Sequence, residues 1–314
     1  MKIEEICELQ NKIIRELERY CNGYEKNFDK YSFRRLSGLL KNLKGEREEL
    51  KLKLCEFNKY PAFYKYFLLK IKKYVEQFLK DYVKAVIVHG SLATLDFTEY
   101  SDADILMILK DEVIMSDSIK YFRKHLQNLL RIIYQFDALQ HHGIFILPEI
   151  YLEFYPEEYL PVDTLKHSVL LYPKELTLFI KKRFYKKISE KRFKDVINFL
   201  INSPLPADMY NEKRFLSAFF LLPALYLSCK NKLMYKKYSF DEIKNYLPAG
   251  IFKNVSTLRE RWRRLRLPWI LSLLPVKFLP KIIHLYRKRQ GKVFIYRGIK
   301  KYVALHFHDC INND

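Results

Sequence analysis

The chain has 314 residues, of which 49% are hydrophobic, so it is long enough for a sizeable core and its composition excludes general disorder. Its formal net charge of +21 favours an anionic partner. Five scattered cysteines and a charged N-terminus argue against a disulfide framework and a secretory leader, so we expect a cytoplasmic protein.

Residues 1–80 are predicted to form an N-terminal helical region. Apolar residues recur at near-helical spacing over 3–17 and again over 36–43, with a break at Asn22-Gly23 between the two series. Pro61 suits the first position of a further helix. No strand pattern is recognisable in this region.

The segment 89–105 carries the most informative pattern, a Gly-Ser pair followed by two aspartates that flank one alanine. Apolar runs at 86–88 and 105–109 predict a strand on each side of it. Residues two apart on a strand point to the same face, about 6.6 Å apart, so Asp102 and Asp104 should present their carboxylates side by side. Because two such carboxylates repel each other, they are most plausible as ligands of a hard divalent cation such as Mg²⁺.

The Gly-Ser pair has the chemistry of a phosphate-binding turn. Gly90 lets the backbone approach a ligand closely, and Ser91 is expected to open a helical turn whose free N–H groups bind a triphosphate. A phosphate would then lie beside the metal, as phosphoryl transfer requires. The alternative is an ordinary turn and an exposed acidic loop, since either half of the pattern alone occurs by chance.

This block resembles the signature of the nucleotidyltransferase superfamily, which includes DNA polymerase beta, the aminoglycoside nucleotidyltransferases and the CCA-adding and poly(A) polymerases. The family pattern is an apolar residue, Gly, Gly or Ser, a spacer of roughly ten residues, and Asp-x-Asp or Asp-x-Glu. The resemblance extends to about residue 180. It implies an α+β fold with a small mixed sheet and flanking helices, Mg²⁺ or Mn²⁺ at Asp102 and Asp104, and an NTP such as ATP held by Gly90, Ser91 and Ser101.

A full site in this superfamily usually has a third carboxylate on a neighbouring strand. A predicted helix at 116–134 is followed by a candidate strand at 144–147, which contains no acid. The candidates for the third ligand are the nearby residues Asp137, His142, Glu149 and Glu153, and His142 and Glu149 are our catalytic candidates. Alternatively, His141 and His142 cap the strand while Glu149 and Glu153 begin a surface helix. Two aspartates would then act alone, or the enzyme would be degenerate.

The remaining pattern divides the chain into three regions. Apolar runs at 168–172 and 176–180 with a Pro-Lys turn between them predict a hairpin, which completes a nucleotidyltransferase catalytic domain at 81–182. From 183 to 314 the chain is predicted to be a mostly helical, strongly basic C-terminal domain, with short strands near its end at 292–296 and 302–307. The apolar window 265–285 is interrupted by three prolines and Lys277, so we expect no transmembrane segment.

The positive charge is concentrated near the C-terminus, where fifteen Lys and Arg face one acid between Lys253 and Val303. The densest runs are Arg259, Arg261, Arg263, Arg264 and Arg266, and Arg287, Lys288 and Arg289. Guanidinium groups interleaved with aromatic rings suit a polynucleotide, although a solvated cationic face is an equal alternative.

These charges favour RNA, perhaps a tRNA end, as the acceptor of an NMP, because aminoglycosides are polycations that need acidic surroundings. A small-molecule or protein acceptor is the alternative. A hypothesis of another class is a catalytically weak RNA- or partner-binding protein that retains the fold. The sequence does not indicate an oligomeric state.

Overall fold

The computed structural model describes residues 2–43, 45–248, 250–265 and 290–307. Within these residues the α-helices are α1 Ile3–Cys21, α2 Lys30–Leu40, α3 Ala62–Phe78, α4 Gly90–Thr94, α5 Asp111–Met115, α6 Ser118–Phe136, α7 Val162–Lys166, α8 Lys186–Asn202, α9 Met209–Cys229, α10 Lys236–Glu242, α11 Gly250–Glu260 and α12 Val293–Phe307. Short 3-10 helices lie at Phe57–Lys59, Glu149–Phe154 and Ile243–Asn245. The strands are β1 Glu48–Lys51, β2 Lys53–Leu54, β3 Val83–Val88, β4 Ile105–Leu109, β5 Phe145–Pro148, β6 Tyr155–Pro156, β7 Val169–Tyr172, β8 Thr177–Ile180 and β9 Lys182–Arg183.

The central sheet has the strand order β2-β7-β3-β4-β5. β3 and β4 are antiparallel, with Val88 opposite Ile105, whereas β4 and β5 are parallel, with Leu106 opposite Phe145. Two smaller sheets pair β1 with β8 and β6 with β9. A small mixed sheet with helices before, around and after it confirms the predicted α+β fold.

The two strands predicted around the Gly-Ser and Asp-Ala-Asp motif are confirmed as β3 and β4. All five residues of β4 are buried, which explains why this strand is a continuous apolar run rather than an alternating one. The turn predicted after Ser91 is the short helix α4.

The hairpin predicted at 168–180 is wrong. β7 pairs with β2 and β3 in the central sheet, whereas β8 pairs with β1. The two runs also differ in burial, because the middle of β7 is buried while Phe179 of β8 is 52% exposed. Adjacent apolar runs of equal length therefore belong to different sheets, which their composition does not distinguish.

The expectation of no strands in residues 1–80 is also wrong, because β1 and β2 lie there. Leu50 is the buried residue of β1, and the remaining side chains of that strand are charged. Its extended conformation follows from pairing with β8 rather than from an apolar pattern.

The strands predicted at 292–296 and 302–307 are wrong as well, because both segments lie in α12. Its residues Tyr296, Ile299, Val303 and Phe307 are buried. They recur at the spacing of one helix face. A short apolar run is compatible with a strand or a helix, and here the packing of this face favours the helix.

The buried side chains form two hydrophobic clusters. The first joins helices α1, α2, α3 and α6 to the central sheet, and the second joins α8, α9, α11 and α12. Tyr100, Ala138 and Leu139 belong to the second cluster although they lie between strands of the first. The division into regions 1–80, 81–182 and 183–314 stays a prediction.

In the described part of the chain, no helix combines the length and apolarity that crossing a membrane requires. Apart from Leu265, the apolar window 265–285 lies outside the described residues.

Candidate active site

The Gly-Ser pair and the two aspartates lie at one edge of the central sheet. The N–H of His89 donates to the carbonyl oxygen of Asp104 at 2.9 Å, which extends the pairing of β3 and β4 by one step. Gly90 follows with φ +70°, a left-handed conformation. A Cβ at Gly90 would lie 2.2 Å from Oδ2 of Asp104. Only glycine therefore allows this carboxylate to lie so close to the backbone of residue 90.

The two aspartate carboxylates converge on the same side of the backbone. Nε2 of His142 lies 3.0 Å from Oδ1 of Asp104 and 3.6 Å from Oδ2 of Asp102. Nδ1 of His141 lies 3.3 Å from the same Oδ2 of Asp102. Both carboxylates therefore face the same imidazole nitrogen, and donor atoms of Asp102, His141 and His142 lie within 4.8 Å of one another, close enough to share a cation.

A lysine on one of the C-terminal helices forms an ion pair with Asp102. Nζ of Lys213 on α9 lies 2.5 Å from Oδ1 of Asp102 and also forms an ion pair with Asp137. Lys213 is fully buried and Asp137 is 1% exposed. A buried ammonium needs charged partners, so the three side chains form one unit. This unit links α9 to residues 95–104, the segment between α4 and β4 that we call the aspartate loop.

The charges of the site follow from burial and these ion pairs. Burial alone would raise the pKa of Asp102, but the Lys213 ammonium and the two imidazoles hold it well below its ordinary value. Burial acts in the same direction on Asp104, and His142 outweighs it, so the pKa of Asp104 is also lowered. Burial lowers the pKa of His141 to about 3. Although burial opposes it, the two carboxylates raise the pKa of His142 well above its ordinary value, so both aspartates are ionised with the His142 imidazolium beside them.

Gln140 fixes the segment between the two aspartates. Its Oε1 accepts from the N–H of Ala103 at 3.1 Å, and its Nε2 donates to the carbonyl oxygen of Ala103 at 3.3 Å. Nε2 of Gln140 also lies 3.1 Å from Nδ1 of His142. One amide side chain thus sets the positions of both aspartates and of the imidazole that faces them.

Of the candidates for a third ligand, the structure brings His142 to the aspartates and does not bring Glu149 or Glu153. Glu149 pairs with Lys84 at 2.5 Å, and Glu153 pairs with Arg47 and Lys181. The reason is the parallel pairing of β4 and β5, because residues that precede β5 lie beside residues that precede β4. The expectation that Glu149 is catalytic is not supported by this position, at the far end of the strand. Asp137 reaches Asp102 only through Lys213.

The serines of the motif differ in their surroundings. Ser91 lies in α4 and lines the cavity above the carboxylates. Ser101 also borders this cavity, but it is buried and its Oγ accepts from the N–H of Thr98 at 2.9 Å. Ser101 therefore closes the turn before Asp102, and its contact with a nucleotide stays a prediction.

A cavity of about 820 Å³ opens over the carboxylates and continues between α8 and α9. Its cationic lining residues are Arg192, Arg214, Lys236, Lys237 and Arg259. Its apolar part includes Val196, Phe199, Leu221 and Leu225. The size falls in the range of small-molecule sites, about 300–1,000 Å³. The lining carries both signs of charge, because it also includes the acids Asp96, Asp102, Asp104, Glu157, Glu158 and Asp195.

The arginines of the basic segment have different environments. Arg261 and Arg263 are exposed, whereas Arg259 lines the cavity. Arg264 stacks its guanidinium over Phe136 at 4.1 Å and donates to the carbonyl oxygen of Ser101 at 3.1 Å. It therefore holds the aspartate loop. Arg266, Arg287, Lys288 and Arg289 lie outside the described residues.

Lys213 and Gln140 are site residues that the sequence did not indicate, and Arg264 was expected only as an RNA contact. A lysine is rarely fully buried without a charged partner, so its place in an apolar helix is a weak signal, but it does not reveal which acids it meets. Gln140 and Arg264 act through backbone groups, which leave no pattern in the sequence.

Comparison with known proteins agrees with this geometry. No curated protein sequence matched the chain. Residues 68–192 match the protein family described as the nucleotidyltransferase domain, a range that contains β3, β4, β5 and both aspartates. The resemblance to the nucleotidyltransferase superfamily is thereby confirmed over residues 68–192.

Proposed function

We propose that the protein is a metal-dependent nucleotidyltransferase that moves an NMP from an NTP to an acceptor hydroxyl. The observation that carries this proposal is that the Asp102 and Asp104 carboxylates both face Nε2 of His142 beside Gly90, at a cavity whose lining includes Lys236 and Arg259. The transfer joins the acceptor oxygen to the α-phosphorus, breaks the bond to the β-phosphate and releases pyrophosphate. The hydroxyl proton passes to a basic group.

The chain's own residues have separate roles in this proposal. Asp102 and Asp104 would hold Mg²⁺ or Mn²⁺, which fits their ionised, convergent carboxylates, and His142 would be the third ligand. When bound, the metal neutralises phosphate charge and activates the attacking oxygen. Gly90, Ser91 and Ser101 would position the triphosphate, which Lys236 and Arg259 face from the other wall. Lys213 and Gln140 keep the aspartates in place.

RNA is the acceptor that the overall charge supports. Arg261 and Arg263 are exposed and available to phosphates, whereas Arg264 is engaged with the aspartate loop. Binding through these arginines should weaken steeply with salt. We expect an Arg261→Ala/Arg263→Ala variant to show a smaller salt dependence of RNA affinity than the unchanged protein, and an equal dependence would exclude these two residues as RNA contacts.

A small-molecule acceptor is the second candidate, and the cavity favours it. The apolar part between α8 and α9 lies beyond the carboxylates and would enclose a compact acceptor better than a polynucleotide. A protein acceptor and a catalytically weak binding protein remain the further alternatives. A cytoplasmic location is still our prediction, supported by the buried free thiols Cys7, Cys21 and Cys55.

The test is incubation of purified protein with α-labelled NTPs, Mg²⁺ or Mn²⁺, and either total RNA or a low-molecular-weight cell extract. We expect label in one acceptor fraction, and loss of that label in Asp102→Asn and Asp104→Asn. Asp241→Asn is the matched control, because Asp241 is exposed and pairs with Lys244 at 2.6 Å. Ribonuclease-sensitive label identifies RNA, and label that stays small identifies a small acceptor.

Transfer that survives both aspartate substitutions would refute the proposed site. RNA binding without transfer to any fraction, unchanged in both variants, would instead support the binding protein.

A further inference from the structure

The side chains that face Asp102 and Asp104 are imidazoles rather than carboxylates. Donor atoms of Asp102, His141 and His142 all lie within 4.8 Å of one another, with the closest contacts at 3.3 and 3.6 Å. Two ligands each about 2.1 Å from one ion lie about 3.0–3.4 Å apart in octahedral or tetrahedral geometry. The observed distances therefore suit one shared ion after small movements.

The two oxygens of Asp102 are divided between different partners. Oδ1 faces Nζ of Lys213 at 2.5 Å, which leaves Oδ2 for the imidazoles. Oδ1 of Asp104 supplies a second carboxylate oxygen, 3.0 Å from Nε2 of His142. Asp102, His141 and His142 thus offer one oxygen and two nitrogen donors to one point, and Asp104 adjoins them through its contact with His142.

Each imidazole has a ring nitrogen beside Asp102 that could coordinate an ion. Nδ1 of His142 lies 3.1 Å from the amide nitrogen of Gln140 and 3.0 Å from the carbonyl oxygen of Gly143. With its proton on Nδ1, His142 can donate to the Gly143 carbonyl oxygen, which leaves Nε2 unprotonated and able to coordinate an ion. Nδ1 of His141 is buried and lies 3.3 Å from Oδ2 of Asp102, but this contact lacks the geometry of a hydrogen bond. An ion between the two atoms would satisfy both.

We propose that Asp102, Asp104, His141 and His142 bind a first-row transition-metal ion in preference to Mg²⁺. Mg²⁺ takes oxygen ligands in near-octahedral geometry, whereas imidazole nitrogen favours softer ions of the Mn²⁺ to Zn²⁺ series. This inference rests on the proposed function, because the same aspartates would hold the catalytic metal. It specifies which ion that metal is and assigns His141 to it.

The experiment is a titration of metal-free protein with Co²⁺, followed by its visible absorption and by competition with Mg²⁺. We expect Co²⁺ to bind about 100-fold or more tightly than Mg²⁺, and the affinity for Co²⁺ to fall at least about tenfold in His141→Ala and in His142→Ala. His167→Ala is the control, because His167 faces Asp163 at 4.0 Å, away from the aspartates. Its affinity for Co²⁺ should be unchanged.

Two further measurements protect the test against variants that fail to fold. Nitrogen hyperfine coupling in the pulsed EPR spectrum of bound Mn²⁺ would detect imidazole coordination in the unchanged protein. His142→Asp, which replaces an imidazole by a carboxylate, should shift the preference toward Mg²⁺ by about tenfold.

Equal affinities for Co²⁺ and Mg²⁺, or Co²⁺ binding that is unchanged in both alanine variants, would overturn the inference. That failure differs from failure of the proposed function. Transfer of NMP with Mg²⁺ alone at the full rate would leave the function intact, whereas histidine-dependent Co²⁺ binding without transfer would leave the metal site intact.

Discussion

Replacing Gly90 by alanine should damage the site far more than the fold. The φ of Gly90 is +70°, where a side chain costs about 1–2 kcal/mol, and alanine recovers about 0.4–1 kcal/mol of that by restricting the unfolded chain. The added Cβ would lie 2.2 Å from Oδ2 of Asp104, so the carboxylate must move by about 1 Å to reach an ordinary contact. A displacement of that size can lower the rate about 100-fold.

The assay compares two measurements on the same Gly90→Ala protein. Urea unfolding should show a loss of about 1 kcal/mol in the free energy of unfolding, whereas affinity for Mn²⁺ and the rate of NMP transfer should fall by about 100-fold. Gly38→Ala is the control, because Gly38 lies in α2 with open space around it. That variant should gain about 0.5–1 kcal/mol and leave metal binding unchanged.

Gly90→Ala with unchanged metal affinity would refute the reasoning, because Asp104 could then not depend on contact with this backbone. The same conclusion would follow if Gly90→Ala and Gly38→Ala had equal affinities for the metal.

Three other substitutions test separate parts of the structure. Lys213→Met should lower the free energy of unfolding by about 3–5 kcal/mol, because it leaves Asp102 and Asp137 charged and buried, and a loss under 1 kcal/mol in urea unfolding would contradict the ion-pair unit. Arg264→Ala should lower it by about 2 kcal/mol and weaken Mn·ATP binding in a calorimetric titration, whereas Arg263→Ala should change neither. Burial raises the pKa of Glu18 from 4.5 to about 7. The protonated carboxyl therefore contributes its full stabilisation below pH 4.5, and this contribution is lost as pH rises through 7. The loss in the free energy of unfolding should reach about 3 kcal/mol. In Glu18→Gln, the free energies of unfolding at pH 5 and pH 8 should differ less than they do in the unchanged protein. An equal difference in both proteins would assign the pH dependence to other groups.

Features of the site that depend on neighbouring residues could be predicted from the sequence. The strands before Gly90 and after Asp104 follow from apolar runs, and a close approach at Gly90 was expected from the lack of a side chain, although the neighbour is the Asp104 carboxylate. The shared orientation of Asp102 and Asp104 follows from the alternation of side chains along an extended segment.

The third partner of the aspartates could not be selected from the candidates Asp137, His142, Glu149 and Glu153, because the selection depends on which strands pair and in which direction. With β5 parallel to β4, His142 meets the aspartates and Glu149 does not. The sequence contains both residues at similar distances from the candidate strand. Lys213 and Arg264 reach the site from helices and loops far along the chain, so no local pattern contains their contacts.

The position of Tyr100, Ala138 and Leu139 in the second hydrophobic cluster has a consequence for protein engineering. A fragment cut to the matched range 68–192 would lose Lys213 and the apolar surface that covers these three side chains. Such an excised piece would expose Asp137 and release the loop bearing Asp102, so we expect a transplantable unit to need the helices that follow the matched range.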